Sequence, residues 1–354
     1  PDGLLLGDCE PGSFLGKRVY TDDGLVNLAP RQMIESMEKL EAEWQWEKDN
    51  CDSLKLINMR GFLTHNSFMQ NAPSLVEGKN NTNYVYMNPL DAENAGLSAA
   101  DGEALVYNEN GAIRIPLIIT SELSPGSAAI PFGWGHQRAD GLAVASCTGG
   151  ANVNFLTPSG EKHVERLSLM AHLSGILIKV CPVPEKTPLC ILTEGEWDQS
   201  IEFHLTNMAV EWGRLFLLAK HHKQMESWHL PAIPDYDKNV STPINGLISA
   251  ARLFEKRFIV INGKNPPISH GMVELLEKYS ERDDNHRPVL FGTDDRFFPF
   301  PGSYHSSLGQ YFEKIFDSKK FESVDLGGIM RDLHPILISP EELTVEDRAI
   351  LDLN

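Results

Sequence analysis

The chain is poor in positive charge. Against 49 Asp and Glu it carries 31 Lys and Arg, a formal net charge of -18. A protein that grips a nucleic-acid backbone needs a basic stripe, so a nucleic-acid partner is excluded as an expectation. The acidic balance does not exclude a dinucleotide, which is held by backbone N–H groups and a few side chains. Cysteine is also scarce. Cys9, Cys51, Cys147, Cys181 and Cys190 form no Cys-x-x-Cys pair, which argues against an iron–sulfur or zinc framework and for buried or half-buried thiols in a reducing compartment. No apolar run reaches membrane-spanning length and no charged-then-apolar leader opens the sequence, so no membrane span is expected. Position 1 is Pro rather than Met, and an upstream piece stays open. The expected location is cytoplasmic, or periplasmic if an upstream signal is missing.

What is present is ordinary for a globular protein: 42% hydrophobic and 23% charged residues over 354 positions, enough for two domains. Residues 31–48 place Met33, Ile34, Met37, Leu40, Ala42 and Trp44 at the spacing of one amphipathic helix face, among Glu and Lys on a solvated face. From residue 54 the pattern changes to short β segments separated by turn residues. Strands are expected at Leu54–Ile57, Tyr84–Met87, Ala104–Asn108, Ala112–Thr120, Ser127–Pro131 and Gly175–Val180. Asn110-Gly111 reads as a hairpin turn. Asp91 reads as the N-cap of a short helix that stops at Gly96. Six short strands with small helices suggest a closed barrel.

Residues 182–188 lie in a stretch, Cys181 to Pro188, with three prolines in eight residues, and read as a linker. Beyond it, 196–226, 245–257, 269–281 and 303–318 look helical, with short strands at Phe258–Ile261 and Pro288–Phe291. Residues 189–354 are therefore expected to form a separate, mainly helical domain. Eight of the twelve histidines fall there: His204, His221, His222, His229, His270, His286, His305 and His334. Glu226-Ser-Trp-His229 has the Glu-x-x-His spacing of di-iron bundles, but no second such motif exists to complete a site. Asp294-Asp295-Arg296 reads as a turn held by an Asp–Arg pair. No metal site is expected.

Four segments carry chemistry. Arg60-Gly-Phe-Leu-Thr-His65-Asn66-Ser67 puts several hydrogen-bond donors at a strand end, suited to a phosphate or a pterin edge, although such a loop also satisfies its own backbone. Asp91, in Asn88-Pro-Leu-Asp91-Ala92, offers a carboxylate at a strand-to-helix turn, where its plain role is to cap. Gly133-Trp134-Gly135-His136 combines two flexible backbone positions with a flat ring and an imidazole. Asn152-Val153-Asn154 alternates two amides along an extended segment, and an amide offers both donor and acceptor.

In order and spacing these strings resemble the C-terminal pterin-binding domain of the molybdopterin oxidoreductases, the dimethyl-sulfoxide-reductase and formate-dehydrogenase superfamily. Thr21-Asp-Asp-Gly24 and Leu28-Ala-Pro30 resemble the lead-in to that domain, and Asp2 departs from the His the family often has there. The resemblance covers residues 1–181. It implies an α+β fold with an N-terminal double-psi β-barrel, and a molybdopterin guanine dinucleotide held by Arg60, His65, Asn66, Ser67, Asp91, Gly133, Trp134, Gly135, His136, Asn152 and Asn154. It implies no catalytic residue in this chain. The molybdenum or tungsten and its ligand would belong to catalytic domains upstream or on a partner subunit. The competing readings are a non-catalytic nucleotide- or pterin-binding module and a protein-interaction module built on a degenerate barrel.

Overall fold

The computed structural model describes residues 19–49, 53–63, 66–78, 81–165, 168–193, 215–219, 230–237, 240, 242–263, 268–318 and 325–351. The contacts divide into two units, residues 1–52 with 164–171, and residues 53–163 with 172–354.

In the first unit the stripe from Met33 to Trp44 falls on two helices rather than one, α1 (Arg31–Met37) and α2 (Leu40–Asp49). Neither buries a residue. Met37, Leu40 and Trp44 are each more than half exposed, so the expected core face is an exposed one. Val164 and Ala171 pair as an isolated antiparallel bridge.

The second unit begins with six strands: β1 (Leu54–Met59), β2 (Val85–Met87), β3 (Glu103–Tyr107), β4 (Ala112–Ile119), β5 (Ser127–Pro131) and β6 (Ile176–Pro182). They close into a barrel in the order β1-β5-β2-β4-β3-β6. All six coincide with segments expected from alternation and turn chemistry. The barrel core is Leu56, Val85, Met87, Ile113, Ile115, Ile130 and Ile178, plugged from one end by Val153 and Leu156. The helix after β2, α3 (Pro89–Asn94), is capped by Asn88, whose side chain accepts from Leu90 N–H, and not by Asp91. Pro89 fits the first helical turn, which moves the cap back three positions. The Asn110-Gly111 loop is closed by Asn108, whose Oδ1 accepts from both Asn110 and Gly111 N–H groups.

Residues 189–354 correct the expectation of a mainly helical domain. Their described part is organised by a seven-stranded sheet in the order β13-β11-β12-β10-β7-β8-β9. The strands are β7 (Leu189–Thr193), β8 (Leu215–Ala219), β9 (Ala232–Pro234), β10 (Arg257–Asn262), β11 (Val289–Gly292), β12 (Phe297–His305) and β13 (Ile336–Ile338). All run parallel except β12. Residues 215–219, inside the expected helix 196–226, are a strand; the rest of that range, except for these five residues, lies outside the described residues. The physical reason is burial on both faces. Leu215-Phe-Leu-Leu-Ala is apolar throughout, and so short a run does not distinguish a buried strand from a helix by periodicity. Cys190, Leu192, Phe216 and Leu218 face one core, while Leu189, Ile191, Leu215 and Leu217 face the other.

Helices cover both faces. Against the first core lie α4 (Pro243–Leu253), α6 (Gly309–Asp317) and α7 (Leu326–Asp332). Against the second lies α5 (His270–Ser280), with Leu351 at the end of α8 (Val345–Ile350). The barrel contributes to the first core. Ala104 and Val106 point into the barrel, and Leu105 between them points out into the cluster around Leu247, Phe258 and Tyr304, as the two-residue period of a strand requires.

Candidate functional site

Three of the four expected segments meet at one end of the barrel. β1 and β5 are parallel and in register from Lys55↔Ser127 to Met59↔Pro131. Their exits, Arg60–Ser67 and Phe132–His136, therefore leave side by side. The Phe132 N–H donates to the Met59 carbonyl at 3.0 Å and continues the pairing. The Arg60 guanidinium stands 5.8 Å over the Phe132 ring.

The two glycines around Trp134 permit the approach of the neighbouring loops. Gly133 and Gly135 have φ of 89° and 88°, a conformation that L side chains rarely adopt. A Cβ on Gly133 would stand 3.2 Å from the Ser67 backbone nitrogen, and one on Gly135 only 2.5 Å from that of Asn152. Ser67, Gly133, Gly135 and Asn152 are thus brought together through backbone contact. Trp134 is buried, 4% exposed, and acts as core between the loops. His136 turns back, its Nε2 lying 2.8 Å from the Gly133 carbonyl. Asn152 caps the one-turn helix Val153–Leu156, its side chain accepting from Asn154 N–H. Asn154 itself is exposed. Asn66 is half-buried and Ser67 exposed, opening the one-turn helix Ser67–Asn71. His65 lies outside the described residues.

Asp91 is not part of this group. Its buried carboxylate accepts from Gly126 N–H at 2.9 Å, at the entrance of β5, whereas Gly133 follows the exit. The intervening strand separates them by on the order of 20 Å. There Asp91 holds a turn.

Sequence reasoning missed the residue that organises the site. Asn83, 1% exposed, donates its amide to the carbonyls of Pro131 and Ala151 at 2.8 and 2.9 Å, and accepts from Ala151 N–H at 2.8 Å. One side chain ties the end of β5 to the segment that leads into Asn152. In the sequence it is one of several asparagines before β2, with no signal to distinguish it. Asn71 plays a similar part, its Oδ1 accepting from Val144 and Ala145 N–H groups. Gln70, on the same turn as Ser67, is fully buried with both side-chain polar atoms unpartnered. A further pair escaped notice: Arg138, two residues past His136, bonds to Glu313 on α6.

The donor set fits a pterin or purine ligand with a diphosphate. Amides at Asn152 and Asn154 match mixed donor–acceptor edges, the glycine backbone allows close approach, and Gln70 is a buried polar group that ligand-free packing leaves unsatisfied. Among the described residues no group of three or more His, Cys, Asp or Glu could hold a metal ion. No described helix is long and apolar enough to cross a membrane. The Asp294–Arg296 segment is a turn closed by Thr293 N–H donating to the Arg296 carbonyl, with the Arg296 guanidinium 5.2 Å over the Phe298 ring. Glu226 and His229 lie outside the described residues. Of the cysteines described, Cys147 is exposed, Cys181 half-buried and Cys190 buried. Burial raises the Cys181 thiol to about 12 and lifts that of Cys190 as well.

Residues 54–168 match the model of the molydopterin dinucleotide binding domain. No curated protein matches the chain. Solved structures that align with it include the molybdopterin-guanine dinucleotide biosynthesis protein A of Archaeoglobus fulgidus, at 16% identity over 47% of this chain and 89% of that one, TM-score 0.39. Acetylene hydratase of Pelobacter acetylenicus aligns at 15% identity over 45% of this chain and 21% of that one, TM-score 0.31. The cytidylyltransferase of Francisella tularensis that acts on 2-C-methyl-D-erythritol 4-phosphate aligns at 10% identity over 47% and 99%, TM-score 0.35. At these TM-scores none of the three bears on fold or function.

Proposed function

We propose that this chain, whose residues 54–168 carry a molydopterin dinucleotide binding domain, is the cofactor-holding part of a molybdenum or tungsten oxidoreductase. The ligand is a pterin guanine dinucleotide, held at the barrel end where Ser67, Gly133–Gly135 and Asn152 converge. That convergence is the observation that carries the reading. The interleaving of two parallel pairs, β1 with β5 and β2 with β4, among antiparallel ones supports assigning the barrel to the double-psi type.

When bound, the pterin and its metal would supply the redox chemistry, and the chain's own residues bind and orient. The Ser67 N–H and hydroxyl and the Gly133–Gly135 backbone suit the diphosphate. The Asn152 and Asn154 amides suit the ring edges. Arg60 supplies a cation at the rim. Asn66 belongs to the same loop as Ser67, His136 acts by holding the Gly133 turn, and Trp134 by packing beneath it, while His65 lies outside the described residues. The remaining expected contact, Asp91 to the dinucleotide, is unsupported by its position at the other end of β5. The rim exposes Phe62 and Phe68, 98% and 73% accessible, beside the outward-facing Ile57 and Met59. An apolar rim of this kind suits coverage by another polypeptide, and we assign that role to a catalytic body that holds the metal ligand and selects the substrate.

Calorimetric titration of the purified chain with a pterin guanine dinucleotide, and with GDP as its nucleotide half, tests the reading. Saturable binding that Gly135→Val abolishes is the expected result. A folded wild-type chain that takes up neither ligand would overturn it.

A further inference from the structure

One ligand loop of the barrel ends on a carboxylate of the α/β half, and the other lies beside an arginine that binds the same carboxylate. Glu313, on α6, has a side chain only 15% exposed and receives two guanidiniums on the same oxygen, Oε1. One is Arg138, which extends the Gly133–His136 loop. The other is Arg252, at the end of α4, at 2.9 Å. Arg252 lies 4.2 Å over the Tyr236 ring and 6.0 Å from that of Phe155, the residue after Asn154. On the near side the two loops also touch directly, through Gly135 against Asn152 and through Gln137, whose amide donates to the Gly150 carbonyl at 2.8 Å. The contacts form a closed ring. It runs from Gly135 to Asn152, along the chain to Phe155, across Arg252 and Glu313 to Arg138, and back along the chain to Gly135.

The chemistry of Glu313 agrees with this place. Burial works against its charge, yet hydrogen bonds from Arg138 and Arg252, with their positive charges, outweigh burial and hold the carboxyl below its ordinary range. It stays ionised at neutral pH. An exposed ion pair alone fixes little. Here a single half-sheltered carboxylate takes two planar donors, one of them already held against an aromatic ring, and such a network orients its members better than an isolated pair. Its backbone is anchored by Phe312 and Phe316, which sit in the sheet's core.

We propose that Glu313 is a positioning residue for the barrel's ligand loops, so that the α/β half sets their spacing. The proposal rests on the reading of the barrel as a dinucleotide site for its functional meaning. The coupling it describes stands on the contacts alone. By reciprocity, a ligand that orders the loops also tightens the Arg138–Glu313–Arg252 cluster.

The test compares hydrogen exchange and GDP binding in the full chain, in Glu313→Gln and in Arg138→Gln. Glutamine keeps the shape of Glu313 and removes its charge. Arg138→Gln cuts the same link from the more exposed partner, which keeps the question answerable if α6 is sensitive to change. The expected result is exchange several-fold faster in residues 133–142 and 150–157 of Glu313→Gln, with α5 and β7 unchanged, and a GDP dissociation constant raised roughly tenfold, within the usual span of such couplings. Arg138→Gln should loosen residues 133–142 in the same way. Unchanged exchange in both loops overturns the proposal, and so does loosened exchange with GDP affinity intact. If the wild-type chain takes up neither GDP nor a pterin guanine dinucleotide, the dinucleotide reading fails by itself, and exchange alone decides the coupling.

Discussion

Single atoms decide what the barrel end tolerates. A methyl group on Gly135 meets the Asn152 backbone at 2.5 Å and sits at a positive φ. Gly135→Ala is therefore expected to cost about 2 kcal/mol from conformational strain, with a further penalty from the displaced loop. Chemical denaturation measures it, and a loss under about 0.5 kcal/mol, the range of neutral surface changes, would show that the loop yields. Asn83→Ala removes three hydrogen bonds at once, one buried and two part-buried, and leaves the Ala151 N–H and the Pro131 and Ala151 carbonyls without that partner. Each such orphan costs roughly 1–3 kcal/mol. A destabilisation near about 3 kcal/mol is expected, with the largest rise in exchange at residues 149–156. The glycine pair was legible in the sequence because the residue type itself announces unusual backbone. Asn83 was not, because its role exists only once β5 and the 149–154 segment are side by side.

At the scale of elements, the sheet edge where β10 and β11 begin and β12 ends gathers charge. Asp283, with no exposed side chain, pairs with Arg257 at 2.8 Å and Arg287 at 3.1 Å. Burial opposes its ionisation, but the two arginines and the Arg287 N–H outweigh it and lower its carboxyl below the ordinary range. Beside it the rings of His286 and His305 stack 3.6 Å apart, and His305 accepts from Ser307 N–H through Nδ1. Burial, then the neighbouring His286 and Arg257, depress His305 to about 4. For a histidine lowered in this way the unfolded chain binds the proton first. Its contribution is complete above about pH 6.5, the ordinary imidazole value, and is lost as the pH falls from there towards 4. Asp283 contributes above the ordinary carboxylate range, and that contribution is lost as the pH falls through its lowered value. An NMR titration should give a His305 midpoint near 4, and His305→Asn, which keeps an acceptor for Ser307, should flatten the pH slope of stability between 6.5 and 4. A midpoint near 6.5 would contradict the burial argument. None of this was legible in the sequence, where His286 and His305 are separated by the whole β11–β12 hairpin.

For the whole molecule, the decisive feature is that barrel and sheet share a core. Leu105 from β3 belongs to the cluster of Leu247, Phe258, Tyr304 and Phe312, and Ala112, Cys181 and Val183 pack against it. Arg114 on β4 bridges Glu103 of the barrel and Glu255 after α4, at 2.5 and 3.1 Å. Residues 53–163 and 172–354 are thus expected to unfold in one calorimetric transition. A fragment ending at residue 181 should bare Leu105 and lose solubility. Two resolved transitions, or a soluble and stable fragment, would show that the halves fold independently.

Composition and local pattern by themselves determined the six barrel strands and the turn residues, because a two-residue alternation and a Gly or Asn turn are written locally. They also placed α4, α5, β10 and β11, whose lengths or amphipathic faces are unambiguous. Only the tertiary structure decided the rest. It turned the C-terminal half from a helical domain into a seven-stranded sheet, because strands buried on both faces lose the alternation that marks a strand. It moved Asp91 to the far end of β5 and left α1 and α2 with exposed apolar residues. It also joined Arg138, Glu313 and Arg252, residues spread over about half the chain, at a contact that no local pattern encodes.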